Sequence, residues 1–224
     1  MKRTSIYWSF LIQILFFIGN GPIAAQSVQD LQTSFDASRS KGDIKAAVPF
    51  AEKIILVLEQ QRITDTTIYI KKLLQLSRTY LNASRSEEAE KCSLKALAVA
   101  RPNDPQYADA LIEWSASIGS QGEYERADSI AQLAIDLRKI LLGKDNIHYC
   151  GALLAAGAWQ FQGGYTTKAI NTLEECRSLW KKNNFDKPNL LVATLNSLGS
   201  CYSTVGKSTE AQMCFKEALA VRAS

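Results

Sequence analysis

The sequence predicts an all-α fold, a right-handed α-solenoid of about five helix–turn–helix repeats. Three observations predict it. Gly and Pro together number 17 of 224 residues, below the roughly 12% of an average chain, which disfavours turn-rich β folds. Apolar and small residues recur three and four apart through most of the chain, the spacing of a helix face. Alanines that follow short turns, Ala47, Ala89, Ala127, Ala169 and Ala211, are separated by 42, 38, 42 and 42 residues.

The N-terminal stretch is set aside first. Lys2 and Arg3 precede a mostly apolar run from Ile6 to Ile18, broken by Gly19, Asn20, Gly21 and Pro22 and followed by Ile23-Ala24-Ala25-Gln26. Positive start, apolar run and small residues, in that order, form a secretory signal peptide over residues 1–25, cut after Ala25. The run is shorter than the roughly 20 residues a spanning helix needs. Export to a bacterial periplasm is the expectation, with an extracellular destination or retention by an uncleaved signal as alternatives. No later stretch is long and apolar enough to cross a membrane.

Residues 26–224 remain, enough for a real core. Hydrophobic residues are 46% and charged residues 21% of the chain, and the net charge of +4 falls to about +2 without the leader. That balance excludes a disordered chain and gives no pull toward nucleic acid.

The repeats read in order as units near 28–62, 66–101, 105–142, 147–182 and 188–223. The first carries Leu31, Phe35, Gly42, Ile44, Ala47 and Ala51, with Pro49 expected in the first turn of its second helix, where proline costs little. The second carries Leu73, Leu76, Tyr80, Ala89 and Ala96. The third carries Leu111, Trp114, Ile118, Gly122, Tyr124, Ala127 and Ala134, and is expected to lack about four residues in the linker entering it, Arg101 to Pro105. The fourth carries Ala152, Ala155, Trp159, Gly163, Tyr165, Ala169 and Leu173. Tyr165 and Ala169 are four apart where Tyr124 and Ala127 are three apart, which predicts one extra residue in that turn. The fifth carries Leu195, Leu198, Gly199, Tyr202, Gly206, Ala211, Phe215 and Ala218.

These residues resemble the tetratricopeptide repeat, and the 42-residue spacing is similar to that of the kinesin-light-chain variant. The stretch Leu137 to His148 resembles the linker between repeats of that variant. The resemblance implies that first helices line a concave surface, second helices form the outer one, and the groove holds a peptide or helix of a partner protein. Groove candidates are Lys71, Leu74, Gln75, Arg78, Asp109, Ile112, Glu113, Leu153, Asn196 and Ser200. Chaperone-binding members use a Lys/Asn/Arg clamp, but Leu74 and Ile112 stand where it needs polar groups, so no clamp is expected.

Catalytic, cofactor and metal sites are not expected. His148 is the single His and is read as a linker residue. Glu87-Glu88 and Glu174-Glu175 lie beside Lys and Arg and read as solvated helix faces. Asn82-Ala83-Ser84 fits a glycosylation acceptor but sits at a turn. Cys92, Cys150, Cys176, Cys201 and Cys214 read as small buried residues, with Cys176 and Cys201 the pair that adjacent helices would join. Phe215, Leu219 and Val221 are expected near an open C-terminal end, where self-association would cover them.

The function expected is an exported protein–protein interaction scaffold without enzymatic activity. The alternative is the sensor or regulatory arm of a longer protein, such as one with a caspase-like peptidase or signalling domain.

Overall fold

Caps start several of the helices. Ser27 and Asp30 form a capping box, Asp43 accepts from the Ala46 N–H, and Asp65 accepts from the N–H groups of Thr67 and Ile68. Asn146 accepts from the His148 N–H, and Pro105 and Pro188 each open a helix where a missing N–H costs nothing. The computed structural model describes residues 27–61 and 65–223, so the expected signal peptide lies outside the described residues.

Ten helices follow among the described residues: α1 (Val28–Ser40), α2 (Ile44–Gln60), α3 (Thr66–Asn82), α4 (Ser86–Val99), α5 (Pro105–Ser120), α6 (Tyr124–Leu142), α7 (Ile147–Gln162), α8 (Thr166–Asn183), α9 (Pro188–Thr204) and α10 (Ser208–Ala223). Odd and even helices form hairpins. Each hairpin packs on the one before and the one after, and first helices α3, α5, α7 and α9 also pack on one another in succession.

Every hairpin turn has the same backbone. Gly42, Gly122, Gly164 and Gly206 have φ of 75°, 89°, 85° and 77°, and Ser84 has φ of 59°. Each stands two residues before its second helix. The left-handed residue thus repeats with the alanine spacing, and Ser84 occupies a position that glycine fills without steric cost. The extra residue expected in the fourth turn is absent. Tyr165 has moved one position relative to Tyr124, and the turn is unchanged.

Three further expectations change. The residues missing around the third repeat come out of helix α4, which has 14 residues against 19 in α6 and 18 in α8, and not out of the linker. The deletion is close to one helical turn, so the buried stripe stays in phase across it. Pro49 is the sixth residue of α2, not in its first turn, and its ring takes the place of a hydrogen bond to the Lys45 carbonyl. The stretch Leu137 to His148 is mostly helix: α6 continues to Leu142 and α7 begins at Ile147.

The core is a line of clusters shared by neighbours. Phe35, Ala47, Tyr69, Leu73, Ala89 and Ala96 join the first two hairpins, and Ala131, Ile135, Cys150, Leu153, Ala156 and Cys176 join the third to the fourth. Leu173, Leu198, Cys201 and Cys214 join the fourth to the fifth. Cys150, Cys176, Cys201 and Cys214 are buried and Cys92 is half-buried. Cys176 faces Cys150 across its own hairpin rather than Cys201. At the far end Phe215 and Leu219 are exposed, while Val221 is half-buried against Leu191, Val192, Leu195 and Ala218.

Small residues set how closely helices approach. A Cβ added to Gly119 of α5 would lie 2.5 Å from the Trp159 ring of α7. Gly157 and Gly199 stand in the same relation to Leu173 and Phe215, which close their own hairpins.

Candidate functional site

Lys71, Leu74, Gln75, Arg78 and Asn82 recur at three and four along α3, so they share one stripe. Asp109, Ile112 and Glu113 do the same on α5. The stacking of first helices turns both stripes into one hollow of about 670 Å³. Ile147, His148 and Gly151 of α7 form its next wall, Arg39 closes one edge, and the segment Asp186 to Leu190 at the start of α9 comes over the other.

Charge in the hollow is organised in pairs. The Arg78 guanidinium donates to Glu113 Oε1 through Nε at 3.0 Å and through Nη2. Glu113 is buried at 6% exposure, while the Arg78 side chain is 65% exposed. One turn away on α5, Asp109 accepts from Arg138 Nη2, and Arg138 Nη1 donates to the His148 carbonyl. Arg138 belongs to α6 and reaches the hollow from behind. Burial pushes its guanidinium down from the ordinary value, against the pull of Asp109. Both α5 carboxylates therefore have cationic partners already. Lys71 and Lys187 have no acidic partner among the described residues, and Arg39 lies over the Phe35 ring. The lining carries five cations, Arg39, Lys71, Arg78, Arg138 and Lys187, and three acids, Asp109, Glu113 and Asp186. The unpaired positive charge faces the hollow, and apolar Leu74, Ile112, Ile147, Pro188 and Leu190 supply contact surface.

Seven of the ten expected groove residues line this hollow: Lys71, Leu74, Gln75, Arg78, Asp109, Ile112 and Glu113. Leu153 does not. It is buried at 3% with Cys150, Ala156 and Cys176, because two residues beyond Gly151 is the opposite side of a helix. Asn196 and Ser200 are exposed but lie past the hollow on α9. Their register is that of Leu154 and Ala158 on α7, 42 residues earlier. Leu154 packs against the cluster joining α8 to α9 and α10, so the α9 flank bears polar groups where α7 bears apolar ones.

Arg138, His148 and the Asp186 to Leu190 segment were not predicted to line the groove. Arg138 left a signal: it is the one charge on the stripe Ala131, Ala134, Ile135, Arg138. His148 is the second residue of α7 rather than a linker residue. The paired acids remain solvated faces, Glu88 with Arg85, Glu174 with Arg177 and Glu175 with Lys144. Among the described residues no group of three His, Cys, Asp or Glu is placed to hold a metal ion, and no helix is long and apolar enough to cross a membrane. The hollow presents hydrogen-bonding and apolar surface, which suits binding.

Residues 119–148 and 192–224 match two family models, each described as a tetratricopeptide repeat. No curated protein sequence matches the chain. Among solved structures, BtubC (BKLC) from P. vanneervenii is 17% identical with a TM-score of 0.70, over 88% of this chain and 80% of that one. The putative kinesin light chain nearly identical TPR-like repeats of Podosopora anserina are 16% identical with a TM-score of 0.64, over 88% and 97%. A Rap protein complexed with Competence and Sporulation Factor is 13% identical with a TM-score of 0.75, over 88% of this chain and 54% of that one. What this chain shares with them is the fold, an all-helical solenoid of the tetratricopeptide kind.

Proposed function

We propose that the chain is an exported, non-catalytic scaffold that holds a peptide or helix of a partner protein in the hollow between α3, α5, α7 and the start of α9. The repeat matches and the fold support a protein–protein interaction scaffold. The observation that carries the finer reading is the hollow itself, whose acids on α5 are already paired while Lys71 stays open. Rigid helices hold these groups in place before a ligand arrives, which lowers the entropy lost on binding.

The test places a photo-cross-linking residue at Gln75, which lines the hollow, and in a second protein at Leu133, which is 58% exposed on α6. A partner that links at position 75 and not at 133, and is lost when Arg78→Ala and Lys71→Ala are added, supports the groove. Equal linking at both positions removes it. Export is tested separately by cell fractionation and N-terminal sequencing, with a mature chain expected to begin at Gln26.

One observation favours a second reading, association of two copies through α10: Met213 and Leu219 are 60% and 66% exposed there. Sedimentation equilibrium of the natural chain and of Leu219→Asp decides it, since only the former would be dimeric.

A further inference from the structure

Two thiols meet inside the fourth hairpin. Cys150 is in the first turn of α7 and Cys176 is on α8, 26 residues later. The Cys176 sulfur lies 3.3 Å from the Cys150 carbonyl oxygen, and the Cys150 sulfur lies 4.0 Å from the Cys176 carbonyl oxygen. Each side chain thus reaches the other's backbone across the helix crossing, so both sulfurs occupy the same gap. Both residues are buried, at 0% and 1% exposure. Nothing in the groove reading uses them.

We propose that Cys150 and Cys176 are a site of oxidative modification, forming a disulfide that staples α7 to α8 when the chain meets a low-molecular-weight disulfide. Mutual approach is the condition that a helix-to-helix disulfide has to meet, since the bond spans only a few ångströms between Cβ atoms. No other pair shows such a mutual approach: Cys92 is half-buried on α4, and Cys201 and Cys214 share a cluster, but neither sulfur is hydrogen-bonded to the other's backbone.

Cys176 also sits 3.4 Å from the Thr194 hydroxyl of α9. The two thiols perturb each other, the contact between them raising Cys150 and lowering Cys176. One of the two, as its thiolate, attacks one sulfur of the small disulfide, whose S–S bond breaks and releases one thiol. The other then loses its proton and attacks the protein sulfur of that mixed disulfide, and the second small thiol leaves. Two protein thiols are oxidised, and one disulfide is reduced to two thiols. Because both thiols are buried, the exchange waits for the hairpin to open. Cys150 lies between His148 and Gly151, so the staple would fix the α7 wall of the hollow.

The purified chain is incubated with oxidised glutathione just below its melting temperature, quenched in acid, alkylated in denaturant and digested with trypsin. The expected product is peptide 145–168 joined to peptide 169–177, released by reductant, with three other cysteines alkylated. The melting temperature of the oxidised chain should rise by roughly 5–10 °C. Cys201→Ala should keep that product and Cys176→Ala should lose it. Five alkylated cysteines, or Cys176 joined to Cys201, would overturn the proposal.

Discussion

One carboxylate oxygen of Glu113 accepts two hydrogen bonds from Arg78, so a buried acid on α5 is neutralised by a largely exposed base on α3. The exposure is unequal, and so is the dependence. Water screens Arg78 and makes the direct attraction small. Glu113, at 9% side-chain exposure, has little water to fall back on. Arg78→Ala should cost about 1–2 kcal/mol, mostly through the stranded carboxylate. Adding Glu113→Gln to that variant should restore part of the loss. Urea unfolding of the two single variants and the double variant measures the coupling, and strict additivity would mean that the pair contributes nothing.

Ser84 holds a φ of 59° where four other hairpins have glycine. A side chain at that backbone angle clashes with its own peptide group. Ser84→Gly should stabilise the chain by about 0.5–1 kcal/mol, and Gly164→Ser should destabilise it by a similar amount. The urea midpoints of both variants should move in opposite directions.

Gly119 meets the Trp159 ring so closely that an added Cβ would fall 2.5 Å from it. Both residues sit on packed helices, so neither yields cheaply. Gly119→Ala should cost about 1–3 kcal/mol and alter the near-ultraviolet signal of Trp159. An unchanged melting curve would refute the approach of α5 to α7 described above.

Acid should weaken the fold. Burial alone would raise Glu217, but hydrogen bonds from Lys181 and Arg177 outweigh it and hold the carboxyl below its ordinary value of 4.5. Glu59 is lowered in the same way, by Lys95 and the Tyr69 hydroxyl against its burial. A carboxyl depressed in the folded state stabilises above its unfolded value, and that contribution is lost as pH falls through the folded value. The urea midpoint should therefore be flat from pH 7 to about 5 and drop below pH 4.5. In Glu217→Gln the drop should be smaller. An equal drop would show that the Arg177–Glu217–Lys181 cluster is not coupled to folding.

The helices and their order were legible because burial leaves a period in the sequence. Ala47, Ala89, Ala127, Ala169 and Ala211 are each at 5% exposure or below, as their spacing required. Length was harder to place than period. The four-residue deficit near Arg101 gave no sign that α4 had lost a turn, because removing one turn leaves the stripe in phase. The α3 and α5 part of the hollow was readable from one helix face. Arg138 was not, since it enters from a second helix and only the fold shows which side it reaches. Leu153 was misplaced because it stands two positions beyond Gly151, and two positions are about 200° around a helix.

Neighbour-only packing has one more consequence. No residue of the first hairpin is needed to hold the last, so the described chain has little to gain from contacts distant in sequence. Such an array can nucleate at any hairpin and grow in both directions. Protection of backbone amides from exchange with solvent should be graded, highest where α5 to α8 have neighbours on both sides and falling toward α1 and α10. A partner seated against α3, α5 and α7 would tie three hairpins together at once. Slower exchange in helices it never touches would report its arrival.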